Sequence, residues 1–195
     1  MSSEKSIATD SVSAGLITNP SSAEAVNGGG VFHVECIGAD GELKWTDTFH
    51  NLVVNTGLQD MNAKYFTGSG YTAAWYLGLI TGPGSGTTFS AGDTLASHGA
   101  TGSGGWTENT AYTGNRKAVT FGVPTTANPS VATNSASPSS FTMSGTATIA
   151  GAFLCTVATG TSGTLFSAND FSGGDKSVAN GDTLNVTYQF SLTGS

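Results

Sequence analysis

The sequence predicts an all-β protein: a two-sheet antiparallel β-sandwich, jelly-roll-like in layout, with one short α-helix and a flexible N-terminal arm. Three observations carry that expectation. Leu184, Val186, Tyr188, Phe190 and Leu192 alternate with Asn185, Thr187, Gln189 and Ser191, the period-two pattern of a strand buried on one face. The 195 residues include 28 glycines and much Ser, Thr and Asn, a composition rich in turns and poor in helix. No fixed period recurs along the chain, which favours a sandwich over a propeller or solenoid.

The elements follow in order. Residues 1–30 are rich in Ser and Ala, show no period and end in Gly28-Gly29-Gly30; they read as an arm on a glycine hinge. Ile7, Leu16 and Ile17 are its apolar anchors for ordering on a partner. The sandwich domain then spans residues 31–195. Val31–Ile37 reads as a strand, Asp40-Gly41 as a hairpin turn, and the return strand puts Leu43 and Trp45 on one face. Thr56 and Gln59 form a capping-box pattern ahead of Leu58, Met61 and Tyr65, so a helix is expected over residues 57–66 with those three inward and Gly68 as its stop. Trp75–Ile80 is a buried strand. A long loop covers residues 81–105, Lys117–Phe121 is a strand, and a second loop covers 124–140. The alternation from Phe141 to Ile149 reads as one strand, broken by a bulge at Gly151 and continued by Ala152–Val157. Gly163–Phe166 is short, and Asn180-Gly181-Asp182 turns the chain into the last strand. Eight or nine strands are expected in all.

Charge narrows the function classes. Lys and Arg number six, with Arg116 the single arginine, and the net charge is −7. Nucleic-acid binding draws its affinity from neutralised phosphates, and an anionic membrane surface needs basic clusters, so neither partner is expected. No basic-then-apolar leader opens the chain and no run approaches membrane-spanning length; the protein is expected to be made in a cytosol and to stay soluble. Cys36 and Cys155 both fall in strands. They read as buried free thiols, with a disulfide between neighbouring strands left open.

The chain carries no catalytic motif, so no catalytic, cofactor-binding or metal-ligating residue is expected and no cofactor either. His33, His50 and His98 show no ligand spacing. Gly-x-Ser-x-Gly and phosphate-loop patterns are lacking. Asp170, Asp175 and Asp182 offer oxygens for calcium, but turn formation explains them better. Glu35, Glu42 and Glu108 have no context marking a paired-carboxylate glycosidase. Trp75 and Trp106 are the residues a carbohydrate-binding module would use.

Several stretches resemble a family of tailed-bacteriophage virion proteins. They are Phe49-His50-Asn51-Leu52-Val53-Val54-Asn55-Thr56-Gly57-Leu58 with Lys64-Tyr65-Phe66, Ala74–Ile80, Asp93–His98 with Gly105–Glu108, and Thr148–Leu192 with Gly151–Leu154 and Gly181–Tyr188. The resemblance spans residues 45–192 and leaves the first thirty outside. It implies a structural virion protein similar to jelly-roll cement proteins that decorate capsids. The implied partners are the major capsid protein and further copies of the chain, as a dimer or trimer. The implied place is the outer capsid surface, after synthesis in the host cytoplasm. A tail or receptor-binding component, or a carbohydrate-binding module, is the alternative. The family brings no active site to carry over.

Overall fold

The computed structural model describes residues 26–71, 73–82, 89–98 and 106–194, and shows a two-sheet antiparallel β-sandwich. The described residues form twelve strands and two helices: β1 (Val26–Ile37), β2 (Leu43–His50), β3 (Leu52–Val53), α1 (Asn55–Phe66), β4 (Trp75–Thr81), α2 (Leu95–His98), β5 (Glu108–Asn109), β6 (Lys117–Val119), β7 (Ser130–Thr133), β8 (Ser139–Thr142), β9 (Ala147–Cys155), β10 (Leu165–Asp170), β11 (Lys176–Val178) and β12 (Thr183–Gly194). The first sheet runs β2-β1-β12-β7, with β8 also on β12. The second runs β3-β10-β9-β4-β5, with β11 on β9 and β6 on β4.

The period-two pattern does what it predicts in the first sheet. Phe32, Val34 and Cys36 of β1 and Leu184, Val186 and Tyr188 of β12 point inward and are fully buried, while His33 and Glu35 lie on the outer face with side chains nearly half exposed. The Asp40-Gly41 turn closes the β1–β2 hairpin, with Gly41 at φ +85°, a conformation that favours glycine.

The second sheet is buried on both faces, so its strands read as continuous apolar runs rather than alternation. Leu77, Leu79, Ile149, Ala152 and Leu154 face the first sheet. Ile80, Ala150, Phe153 and Cys155 face outward, into a second core with Val54, Leu95, Trp106, Leu165 and Ala168. Alternation therefore skips a step between Ile149 and Ala152. The cause is a bulge: Thr81 pairs with Ile149 while its neighbour Ile80 pairs with Gly151, so Ala150 is the extra residue. The bulge expected at Gly151 is present, one position earlier.

Four expectations are corrected. The strand starts at Val26, so Gly28-Gly29-Gly30 belongs to β1 and is no hinge. Glycine is required there by contact: a Cβ on Gly30 would run into the Tyr188 hydroxyl and the Asn51 amide. Ile7, Leu16 and Ile17 lie outside the described residues. The helix begins at Asn55 with Val54 as an N-cap that makes no side-chain cap bond; the Thr56 hydroxyl instead donates to the Leu165 carbonyl at 2.8 Å. Its inward residue is Gly57, whose Cα lies so close to Phe166 that a Cβ would stand 2.5 Å from the Phe166 carbonyl oxygen. Leu58 and Tyr65 face solvent, whereas Met61 packs against the core as expected. Residues 124–140, expected as loop, contain β7 and the start of β8, both on β12. The stretch Phe141–Ile149 is two strands, β8 and β9, belonging to different sheets.

Candidate functional site

The candidate site is the surface where α1 ends and the chain returns into β4. The last turn of α1 closes through Thr67 N–H and Ser69 N–H, both donating to the Ala63 carbonyl, and Gly68 takes φ +67°. Leu58, Asn62, Tyr65 and Phe66 recur at helical spacing on the face turned away from the sandwich. Tyr65 is 83% and Phe66 75% exposed, yet their rings hold each other edge to face at 4.9 Å. Lys64 donates to Asp60 at 2.6 Å one turn back, and its ammonium lies over the Tyr71 ring at 4.6 Å. The Trp75 indole N–H donates to the Tyr71 hydroxyl at 3.0 Å. From Trp75 the rings continue inward through Phe166 at 5.2 Å to Phe190 at 5.4 Å. Tyr71 and Trp75 are thus braced on the core through Phe166, each aromatic pair adding about 0.5–1.5 kcal/mol beyond the area it buries, while Tyr65 and Phe66 hold each other. Asp60 and Lys64 balance each other, leaving an apolar face with polar edges, the usual anatomy of a protein-docking patch.

A hollow of about 280 Å³ lies beside this face, between Gln59 and Asp60 of α1, Thr94 and Leu95, and Gly163–Leu165. It is smaller than the roughly 300–1,000 Å³ of ordinary small-molecule pockets.

The other sequence candidates are scattered. Among the described residues no three His, Cys, Asp or Glu side chains cluster. Asp182 anchors the turn before β12, accepting from Lys44 at 2.6 Å and from the Ala179 N–H at 2.8 Å. Those contacts hold its carboxyl below the usual range despite burial. Glu42 is exposed; Glu35 lies by His33 at 3.5 Å; Glu108 is locked to Arg116. Trp106 is 3% exposed and packs on Phe89 and Phe153, so it offers no ring face to a sugar. Cys36 and Cys155 are free and buried. Burial first, then the Asp182 carboxylate, pushes the Cys36 thiol up to about 11. The aromatic face itself was missed, because Leu58 and Tyr65 were expected inward.

Asp170 stands apart. Its Oδ1 is buried without a partner, and burial, then the nearby Asp175 carboxylate, pushes its carboxyl up to about 6. A folded pKa above the unfolded value near 3.9 means that the fold prefers the protonated form. The stability this gives is full below about pH 4 and is lost as pH rises through 6. Asp170→Asn is therefore expected to stabilise the protein at pH 8 by about 1 kcal/mol, discounted for partial exposure, and to have little effect at pH 4. Thermal melts at the two pH values check this.

A scan against protein-family models and searches of curated proteins and of solved structures found no match to this chain.

Proposed function

We propose that the chain is a structural virion component that decorates a phage capsid from outside, as a homo-oligomer bound to the major capsid protein, and steadies the assembled shell. The observation that carries this reading is the group of exposed large apolar side chains on α1 and just after it, Leu58, Tyr65, Phe66 and Tyr71, since exposed apolar surface of this kind marks interaction sites. Charge supports an exterior position. Lys44, Lys64, Lys176 and Arg116 each sit on a carboxylate, so four of the six basic residues present little free positive charge to DNA. A module that binds only the assembled shell stabilises it by mass action.

The test is a binding assay on capsids of the phage that encodes the chain. Tyr65→Ser with Phe66→Ser is expected to leave the melting temperature nearly unchanged, since both side chains are exposed, and to weaken capsid binding by about 30-fold or more, from roughly 1 kcal/mol per truncated anchor. Undiminished binding would rule this face out as the anchor. Cryo-EM of the particles separates head from tail: density only at the tail would end the decoration reading in favour of a tail or receptor-binding component.

A further inference from the structure

Every exposed residue of α1 is uncharged: Asn55, Leu58, Gln59, Asn62, Tyr65 and Phe66. A surface helix ordinarily turns its charged residues to water. Here the two charged residues, Asp60 and Lys64, have side chains only 16% and 24% exposed and are joined to each other. Asn55, Gln59 and Asn62 make no side-chain hydrogen bond among the described residues. Three amides without partners, one leucine and two rings make a solvent-facing side suited to being covered.

Charge says what covers it. The chain carries −7 overall, so two copies repel wherever carboxylates meet. The exposed side of α1 adds no charge to such a contact, and it offers nothing to steer a charged partner onto it. Its amides are self-complementary, since each carries both a donor and an acceptor. Spacing supplies the symmetry. Asn62 stands four residues after Leu58 and four before Phe66, so all three share one side of the helix with Tyr65. A two-fold axis at Asn62 lays two antiparallel helices together, with Leu58 of each copy against Tyr65 and Phe66 of the other. A lone asparagine within such a seam fixes its register. The area fits a weak pair. Tyr65 and Phe66 are 83% and 75% exposed, and aromatic side chains bury about 150–250 Å² each. With the rest of a helix about 18 Å long, two copies cover about 1,000 Å² in total, the size at which specific interfaces begin.

We propose that the exposed side of α1 is a homodimer interface: two copies pair antiparallel about a two-fold axis at Asn62, whose amides hydrogen-bond across it. The assignment rests on the reading of these side chains as an interaction site and names a second copy as their partner; it needs no capsid. A pair presents the shell with two contacts instead of one, so losing the pair also weakens capsid binding.

Sedimentation equilibrium of the purified full chain tests this without a particle. A monomer–dimer equilibrium with a dissociation constant of roughly 10–100 µM is expected for an interface of this area. Asn62→Glu and Asn62→Lys are each expected to weaken pairing at least about tenfold, since each sets two like charges at the axis. Asn62 is exposed, so the melting temperatures should stay nearly unchanged. An equimolar mixture of the two variants is expected to restore the dimer, because opposite charges then meet. The proposal is overturned by a trimer, by a dimer that survives both substitutions, by a mixture that fails to recover, or by a chain that stays monomeric to about 500 µM, well above the constant expected. A monomeric chain whose Asn62→Glu variant still binds capsids more weakly gives this side of α1 to the capsid protein instead. A dimer that behaves as expected while capsids go unbound leaves the pairing standing and ends the decoration reading.

Discussion

Arg116→Ala is expected to destabilise the fold by about 3–5 kcal/mol, the loss typical when one partner of a buried ion pair is removed. Arg116 is 5% exposed. Its Nε donates to Glu108 Oε1 at 2.8 Å and its Nη2 to Glu108 Oε2 at 2.7 Å, a bidentate fork. Its Nη1 donates to the Val157 carbonyl at 3.1 Å, and the guanidinium lies 5.2 Å from the Phe153 ring centre. The pair ties the β5 end of the second sheet to the chain leaving β9. Truncation strands the Glu108 carboxylate, whose side chain is 6% exposed, without its cation. Urea unfolding at pH 7 measures the loss. The double replacement Arg116→Met with Glu108→Leu should recover most of the stability, because a buried pair exchanged for apolar volume is often neutral. A single-variant loss below about 1 kcal/mol would show that water reaches Glu108.

Gly151→Ala is expected to cost about 3 kcal/mol, at the upper end of what overpacking does. The added methyl would collide with the Asn169 carbonyl oxygen and stand 2.9 Å from Asp170 Cα. Both are backbone of the paired strand β10, so neither yields as a side-chain tip would. The bulge that sets which face Phe153 and Leu154 take would have to shift with it. Gly29→Ala is the control: nothing lies within 4 Å of a Cβ there, and little change is expected. Chemical denaturation of the two variants side by side checks the contrast.

These residues also show what could be read from the chain. Strands with one solvent face, β1, β2 and β12, announced themselves because burial and exposure alternate along them. The Trp75–Ile80 run announced a strand buried on both faces. Residues 130–142, which run as β7 and then β8 along one edge of β12, did not, since Ser130, Ala132, Thr133 and Ser139 are small or polar and are held by pairing with β12 rather than by bulk. The helix was visible but not its orientation: periodicity weighs large side chains, and here the packing contact is Gly57, the residue with none. Gly28-Gly29-Gly30 misled for the same reason. A triple glycine reads as freedom, while Gly30 in fact fits under Tyr188. The exposed aromatics were hidden because Leu58 and Tyr65 were expected inward beside Met61, and Trp106 could not be distinguished from a surface tryptophan until Phe89 and Phe153 were seen around it.

The pairing of β1 with β12 has a temporal consequence. β12 lies between β1 and the β7–β8 pair, with Val26 opposite Gly194. The middle of the first sheet therefore joins residues from the two extremes of the domain, and long loop closure slows such contacts. During synthesis β1 must wait, with only β2 beside it, until residues 183–194 have left the ribosome. The second sheet and its outer core draw on residues 52–178 and can assemble earlier, so the face toward the first sheet stays uncovered until β12 emerges. That interval is when an all-β chain with open edges is most exposed to pairing with its neighbours on the same message.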